Sequence, residues 1–153
     1  MLLLSQLLVD EIRSHGARDY PNETCGAMLG VDIDASSGAG EPHREVKALF
    51  PLTNRRDDSP RNRFSVTAND VRAAERAAES AGLELIGWYH SHPDHPARPS
   101  EYDREHAWPW YSYVIVSVHG GKPQETTSWL LADDRSKFHK EEIENRVAVP
   151  PAE

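Results

Sequence analysis

The stretch "LELIGWYHSHPDHPARPSEYD", residues 83–103, joins an apolar segment to a cluster of histidine and aspartate side chains. Residues 83–90 are apolar on both faces, which is typical of a strand in the middle of a sheet. Pro93 predicts the end of this strand and the start of a rigid loop. Ser100 then predicts the start of a short helix with Asp103 in its first turn. We therefore expect a central strand, a stiff loop and a short helix.

Three side chains of this stretch form a candidate zinc site. His90 and His92 are two residues apart, so in an extended strand they share one face about 6.5 Å apart. Asp103 would approach from the short helix. Two imidazoles and one carboxylate suit zinc, and three protein ligands leave a fourth position for water, as in catalytic sites. Two other interpretations remain open: a histidine pair at the surface, and a capping box of Ser100 with Asp103, which is compatible with catalysis.

A carboxylate near the ion that does not bind it would serve as a general base. Glu23 is the candidate, since it precedes the apolar segment in "PNETCGAMLG", residues 21–30. Cys25 is expected to be a small buried group, with zinc ligation as the weaker alternative. His95 is a weaker candidate ligand, and His106 is a candidate for a hydrogen bond to the ligands.

The rest of the chain predicts a mixed α/β fold. A first helix is expected at the start of the chain, with residues 1–4 included. Ser5 is a candidate capping residue, and Gly16 is the expected end of the helix. Thr67 and Asp70 predict a capping box for a second helix that ends at Gly82. Strands are expected at 24–32, 44–52, 111–118 and 126–133, whereas 138–145 is ambiguous between strand and helix. We expect one domain over residues 1–153, with a mixed sheet flanked by helices.

The composition disfavours several classes of binding partner. The chain has 153 residues, 38% of them hydrophobic, and a formal charge of -8, which disfavours nucleic acid. No stretch approaches the roughly 20 apolar residues of a membrane-spanning helix. The start lacks the features of an export signal, and Cys25 has no partner for an internal disulfide. We therefore expect no membrane or nucleic-acid partner and a cytoplasmic location.

The pattern of His90, His92, Pro93, Ser100 and Asp103, with an upstream glutamate in "ETCG" (23–26), resembles the JAMM (MPN-plus) metalloproteases. The segments "ETCGAMLG" (23–30) and "PSEYDREHAWPWYSYVIVSV" (99–118) are similar to short stand-alone bacterial members, and the resemblance extends over residues 1 to about 135.

This resemblance implies a zinc hydrolase of peptide or isopeptide bonds with a three-layer, cytidine-deaminase-like fold. It implies that His90, His92 and Asp103 bind Zn²⁺, that Glu23 is the general acid and base, and that Ser100 donates a hydrogen bond to the oxyanion. The implied substrate is the C-terminal Gly-Gly tail of a ubiquitin-like or sulfur-carrier protein.

Alternatives to this function are a non-catalytic MPN module that binds protein and a nucleoside deaminase. The first is disfavoured because the ligand set is complete, and the second because it needs a cysteine pair, whereas Cys25 is the one cysteine of the chain.

Trp108 and Trp110 are expected near the cleft. An arginine-rich loop is either solvated or a contact for an acidic protein substrate, and its arginines are Arg55, Arg56, Arg61 and Arg63. The oligomeric state is left open.

Overall fold

The computed structural model describes residues 1–33, 42–52 and 66–145. The elements in these ranges, in chain order, are β1 (Leu2–Leu3), α1 (Gln6–Asp19), β2 (Cys25–Ile33), β3 (His43–Leu52), α2 (Ala68–Ser80), β4 (Glu84–Pro93), α3 (Glu101–His106), β5 (Ser112–His119), β6 (Lys122–Leu131), β7 (Phe138–Glu141) and β8 (Ile143–Glu144). Among these helices, none has the length and apolar character needed to cross a membrane.

All eight strands form one sheet in the order β7-β6-β5-β4-β2-β3-β1-β8. The predicted central strand is β4, which pairs antiparallel with β2 and parallel with β5. The sheet is therefore mixed, and the predicted α/β (α+β) class is confirmed. The parallel pairing explains why a connection containing α3 separates β4 from β5, since parallel neighbours need a crossover.

Two helices cover opposite faces of the sheet and produce three layers. Alternate residues of β4 point to opposite faces, so Trp88 packs in one apolar cluster with Ala78 of α2. Tyr89 packs in the other cluster with Ile12 of α1. His90 and His92 continue the Trp88 side of the strand and therefore emerge on the α2 face.

The helix starts follow the predicted capping residues. The Leu8 amide donates to Ser5 Oγ at the start of α1, and Thr67 and Asp70 form a complete capping box for α2. After α2, Gly82 has a φ of 70°, the left-handed conformation that favours glycine at a helix end.

Two expectations for the first helix were wrong. Leu2 and Leu3 are not helical but form β1, a buried strand between β3 and β8. The helix also continues past Gly16 to Asp19. Gly16 faces β5, where an added Cβ would lie 3.1 Å from Val118 Cγ2, so this glycine permits close packing instead of ending the helix.

The last strands also differ in extent from the prediction. The ambiguous segment 138–145 forms β7 and β8, which lie at opposite edges of the sheet. The strand predicted over 126–133 begins at Lys122, directly after the two-glycine turn that follows β5.

Candidate metal centre and active site

The three predicted ligands meet at the end of β4. His90 Nε2 lies 3.0 Å from His92 Nε2, and Asp103 Oδ2 lies 3.4 Å and 3.1 Å from these two nitrogens. The side chains are 11%, 11% and 15% exposed, respectively. In the described part of the chain, they are the one group of three or more potential ligands that converges in this way.

This geometry fits a small tetrahedral cation. Zinc–ligand bonds of about 2.0–2.1 Å place neighbouring tetrahedral ligands about 3.3–3.4 Å apart. The three observed separations, 3.0–3.4 Å, lie close to that value. Three electron-rich atoms at these distances repel one another unless a cation or protons lie between them, so the donor set is suited to Zn²⁺.

The loop between the ligands holds His92 in a fixed orientation. His92 Nδ1 lies 2.9 Å from the Pro96 carbonyl, which can only accept, so this nitrogen carries a proton and Nε2 is the nitrogen that faces His90 and Asp103. The neighbouring carbonyls are also bound, because Ser117 Oγ donates to His95 O and Thr127 Oγ1 donates to Ala97 O. Three successive carbonyls of the loop are thus fixed by side chains of three strands.

Asp103, the third candidate ligand, also caps its own helix. Ser100 and Asp103 form a reciprocal capping box in which the Ser100 amide donates to Asp103 Oδ2, the same oxygen that faces the histidines. Burial opposes ionisation of Asp103, but the charges and hydrogen bonds of His90 and His92 together hold its pKa below its usual range. The carboxylate is therefore ionised at neutral pH, as metal binding requires.

Glu23, just before β2, lies next to the candidate ligands because β2 pairs with β4. Cys25 pairs with His90, and the next residue continues this register because the Ser91 amide donates to the Thr24 carbonyl. One further residue along, Glu23 comes opposite His92. The residue is buried, with 6% of its surface exposed, and it lines the same pocket as His90 and Asp103. The antiparallel register therefore brings the predicted base to the predicted ligands.

The other side chains considered for the site do not join the three converging ligand atoms. Cys25 is buried and does not join the converging group, and burial raises the pKa of its thiol well above the usual value. His95 is exposed in the loop. His106 stacks on Tyr102, with its Nδ1 2.9 Å from the Tyr102 carbonyl, so it does not bond to the ligands through this nitrogen.

A pocket of ≈ 350 Å³ is lined by His90 and Asp103 and has several aromatic residues in its wall. The aromatic residues that line it are Trp88, Tyr102, Trp108 and Tyr113. Trp108 is about half exposed there, as expected of a residue near the cleft. Trp110 lies outside this lining and packs against the Arg44 guanidinium. The predicted arginine-rich loop, Arg55–Arg63, lies outside the described residues.

One pocket residue was missed from the sequence. Arg135, in the turn between β6 and β7, lines the pocket, and its guanidinium donates to the Glu105 carbonyl at 3.3 Å. In return, Arg104 Nη1 donates to the Arg135 carbonyl. This reciprocal contact fixes the C-terminal end of α3, but no local motif around residue 135 signals it.

The chain is similar to one protein family and to several named proteins. A family model described as prokaryotic homologs of the JAB domain matches residues 5–132. Desampylase of Haloferax volcanii is 39% identical over 116 residues, which are 72% of this chain and 76% of that protein. CysO-cysteine peptidase of Mycobacterium tuberculosis is 30% identical over 134 residues, which are 87% of this chain and 84% of that protein.

A solved structure shows the same similarity. The solution structure of a protein from Salinibacter ruber is 47% identical and has a TM-score of 0.74. The match covers 100% of this chain and 96% of that protein. The similarity therefore extends over both the sheet and the segment that carries the candidate ligands.

Proposed function

Because the chain belongs to the family of prokaryotic homologs of the JAB domain, we propose that it is a zinc-dependent peptidase of the JAMM type. Its substrate would be a ubiquitin-like or sulfur-carrier protein, cut at a peptide or isopeptide bond of the C-terminal Gly-Gly tail. The names of desampylase and CysO-cysteine peptidase support this substrate class. We further propose that residues 1–153 act as one domain.

The convergence of three ligand atoms within 3.4 Å beside a buried glutamate carries this proposal. His90, His92 and Asp103 would hold the ion. Zinc, when bound, would supply a Lewis acid and would lower the pKa of a water molecule toward about 7.

Glu23 is assigned the proton transfers. It lines the same pocket as His90 and Asp103, where it would take a proton from the attacking water and return it to the leaving amine. The second transfer is needed because an amine leaves far more readily once it is protonated. A single carboxylate serves both steps, since the first step leaves it protonated for the second.

Ser100 is assigned the stabilisation of the developing oxyanion. Its Oγ accepts from the Asp103 amide at 3.0 Å, so the cap uses a lone pair of the hydroxyl and not its proton. The hydroxyl can therefore donate to the carbonyl oxygen of a substrate while it still caps α3. Preorganised donors of this kind contribute most as charge develops.

The test is cleavage of a carrier protein. The zinc-loaded protein is incubated with Gly-Gly-tailed ubiquitin-like and sulfur-carrier proteins that bear C-terminal extensions, and the products are identified by mass spectrometry. Cleavage directly after Gly-Gly is expected. A protein that binds no zinc, or that leaves every such tail intact, would overturn the proposal.

A pair of glutamate variants tests the assigned base. Glu23→Gln should retain zinc but lose about 100-fold or more in rate, the usual contribution of a general base. Glu105→Gln removes the same charge from the same pocket at an exposed position and should stay close to wild type. If Glu23→Gln is as active as wild type, the assignment of the base is wrong.

The same experiment separates the alternative function. A non-catalytic MPN module would bind the carrier and leave its tail intact. In that case Glu23→Gln would bind the carrier as wild type does, and neither protein would release a product.

A further inference from the structure

A chain of hydrogen bonds, buried at Tyr89, His15 and Thr24 and partly exposed at Asp19, lies on the α1 face of the sheet, behind the candidate site. Tyr89 OH lies 2.9 Å from His15 Nδ1, and His15 Nε2 lies 3.1 Å from Asp19 Oδ2. Burial lowers the pKa of His15, although Asp19 opposes this effect. The neutral ring therefore accepts from Tyr89 and donates to Asp19.

The chain continues from Asp19 to the residue beside the proposed base. Thr24 Oγ1 donates to Asp19 Oδ2 over 2.7 Å, so one carboxylate oxygen joins the end of α1 to the start of β2. Thr24 is fully buried. Within the folded protein, its hydroxyl is therefore directed to the Asp19 carboxylate and not to bulk water.

The backbone of Thr24 is bound to the strand of the ligands. Its amide donates to Ser91 Oγ over 2.8 Å, and its carbonyl accepts from the Ser91 amide over 3.0 Å. Ser91 stands between His90 and His92. Thr24 is thus fixed to α1 through its side chain and to the ligand strand through both of its backbone groups.

This double attachment bears on Glu23, the residue directly before Thr24. The segment between Asp19 and Thr24 is a turn, in which the Asn22 amide donates to the Asp19 carbonyl. Asp19 therefore holds both ends of the turn, one by its carbonyl and the other by its carboxylate. Without the Thr24–Asp19 bond, the end of the turn next to Glu23 would lose its side-chain attachment to α1.

We propose that Thr24, through its hydrogen bond to Asp19, is a positioning residue that sets Glu23 against the ligand strand. The inference rests on the proposed function, since it assigns Thr24 an effect on the step that Glu23 performs. A displacement of about 1 Å in a reacting group can cost about 100-fold in rate, so one lost attachment is enough to matter.

Thr24→Val is the direct test, because it keeps the shape of threonine and removes the hydroxyl. We expect about a 10-fold or larger fall in kcat, with KM and the zinc dissociation constant within about 2-fold of wild type. Thr24→Ser restores a hydroxyl and should recover most of the rate. The matched control is Thr126→Val, which removes a buried hydroxyl that has no hydrogen-bond partner in the described structure.

A double variant shows whether the effect acts through Glu23. If Thr24 positions this glutamate, Thr24→Val costs nothing further once Glu23→Gln is present. A multiplied loss in the double variant would show a separate structural effect and would overturn the proposal. Asp19→Ala, at a side chain 34% exposed, repeats the test from the other partner if Thr24→Val does not fold.

A measurement on the metal-free protein separates this inference from the proposed function. Backbone amide exchange at residues 22–25 should quicken in Thr24→Val and Asp19→Ala but not in Thr126→Val. If exchange and kcat in both variants match the control, the positioning role is excluded. A wild-type protein that cuts no carrier tail would instead refute the proposed function, while the exchange result would still decide whether Thr24 fixes the turn.

Discussion

Replacing Asp103 with asparagine should separate metal binding from helix capping. The amide keeps the size of the side chain and an oxygen that can accept from the Ser100 amide, as Asp103 Oδ2 does at 2.8 Å. It removes the negative charge that lies 3.1 Å and 3.4 Å from the two histidine nitrogens. The metal-free variant should therefore fold, whereas its response to zinc should be weak.

The size of this response can be worked out from linkage. Free zinc at 100 times the dissociation constant stabilises the folded protein by about 2.7 kcal/mol. For a chain of this size, that gain raises the unfolding midpoint by roughly 5–11 °C. Altering a residue that only orients a ligand costs about 10–100-fold in affinity, so we expect loss of a charged ligand to cost at least about 100-fold. At the same free zinc, Asp103→Asn would then gain about 0.4 kcal/mol, or roughly 1–2 °C.

The assay is thermal unfolding in a metal buffer that fixes free zinc, with and without the ion. Asp10→Asn is the control, because it removes the same charge from an exposed position on α1. If zinc raises the midpoint of Asp103→Asn as much as that of wild type, Asp103 is not a ligand and the reasoning fails.

Three further results are expected. Cys25→Ser should bind one zinc as wild type does, because the buried thiol is not one of the three converging ligand atoms; loss of the ion would contradict this. His15 has a folded-state pKa below 6.5, so the unfolded chain binds more protons and the free energy of unfolding should fall below about pH 6.5, by at most about 1.4 kcal/mol per pH unit. His15→Gln should show a smaller slope in urea titrations at pH 5–7, and equal slopes would refute this. Gly26→Ala should lower the free energy of unfolding by about 1–3 kcal/mol, measured as a lower urea midpoint, because its Cβ would lie 2.2 Å from the Tyr89 ring; an unchanged midpoint would show that the ring moves freely.

Much of the site could be predicted because its determinants are local. The spacing of His90 and His92 follows from strand geometry, and the capping box of Ser100 and Asp103 uses residues three apart. Each feature needs only a few neighbouring residues. The element order from α2 to β5 was predicted for the same reason.

The features that were missed depend on distant partners. Leu2 and Leu3 join the sheet because β3 and β8 offer hydrogen bonds to them, and an apolar run at the start of a chain carries no sign of this. Gly16 ends no helix because β5 packs against it. Arg135 reaches the pocket through carbonyls of α3, about thirty residues earlier in the sequence. The periodicity of a segment cannot reveal contacts that other segments provide.

The loop of residues 94–99, between β4 with its two histidines and α3 with Asp103, has consequences for protein engineering. Its carbonyls at His95, Pro96 and Ala97 are each bound by a side chain from the sheet. One inserted residue would advance the extended chain by about 3.3 Å, more than a hydrogen bond can stretch, so this loop should tolerate no change of length. The outward side chains of His95 and Arg98, in contrast, are exposed and open to redesign. A library built on this loop should therefore vary its chemistry and keep its residue count fixed.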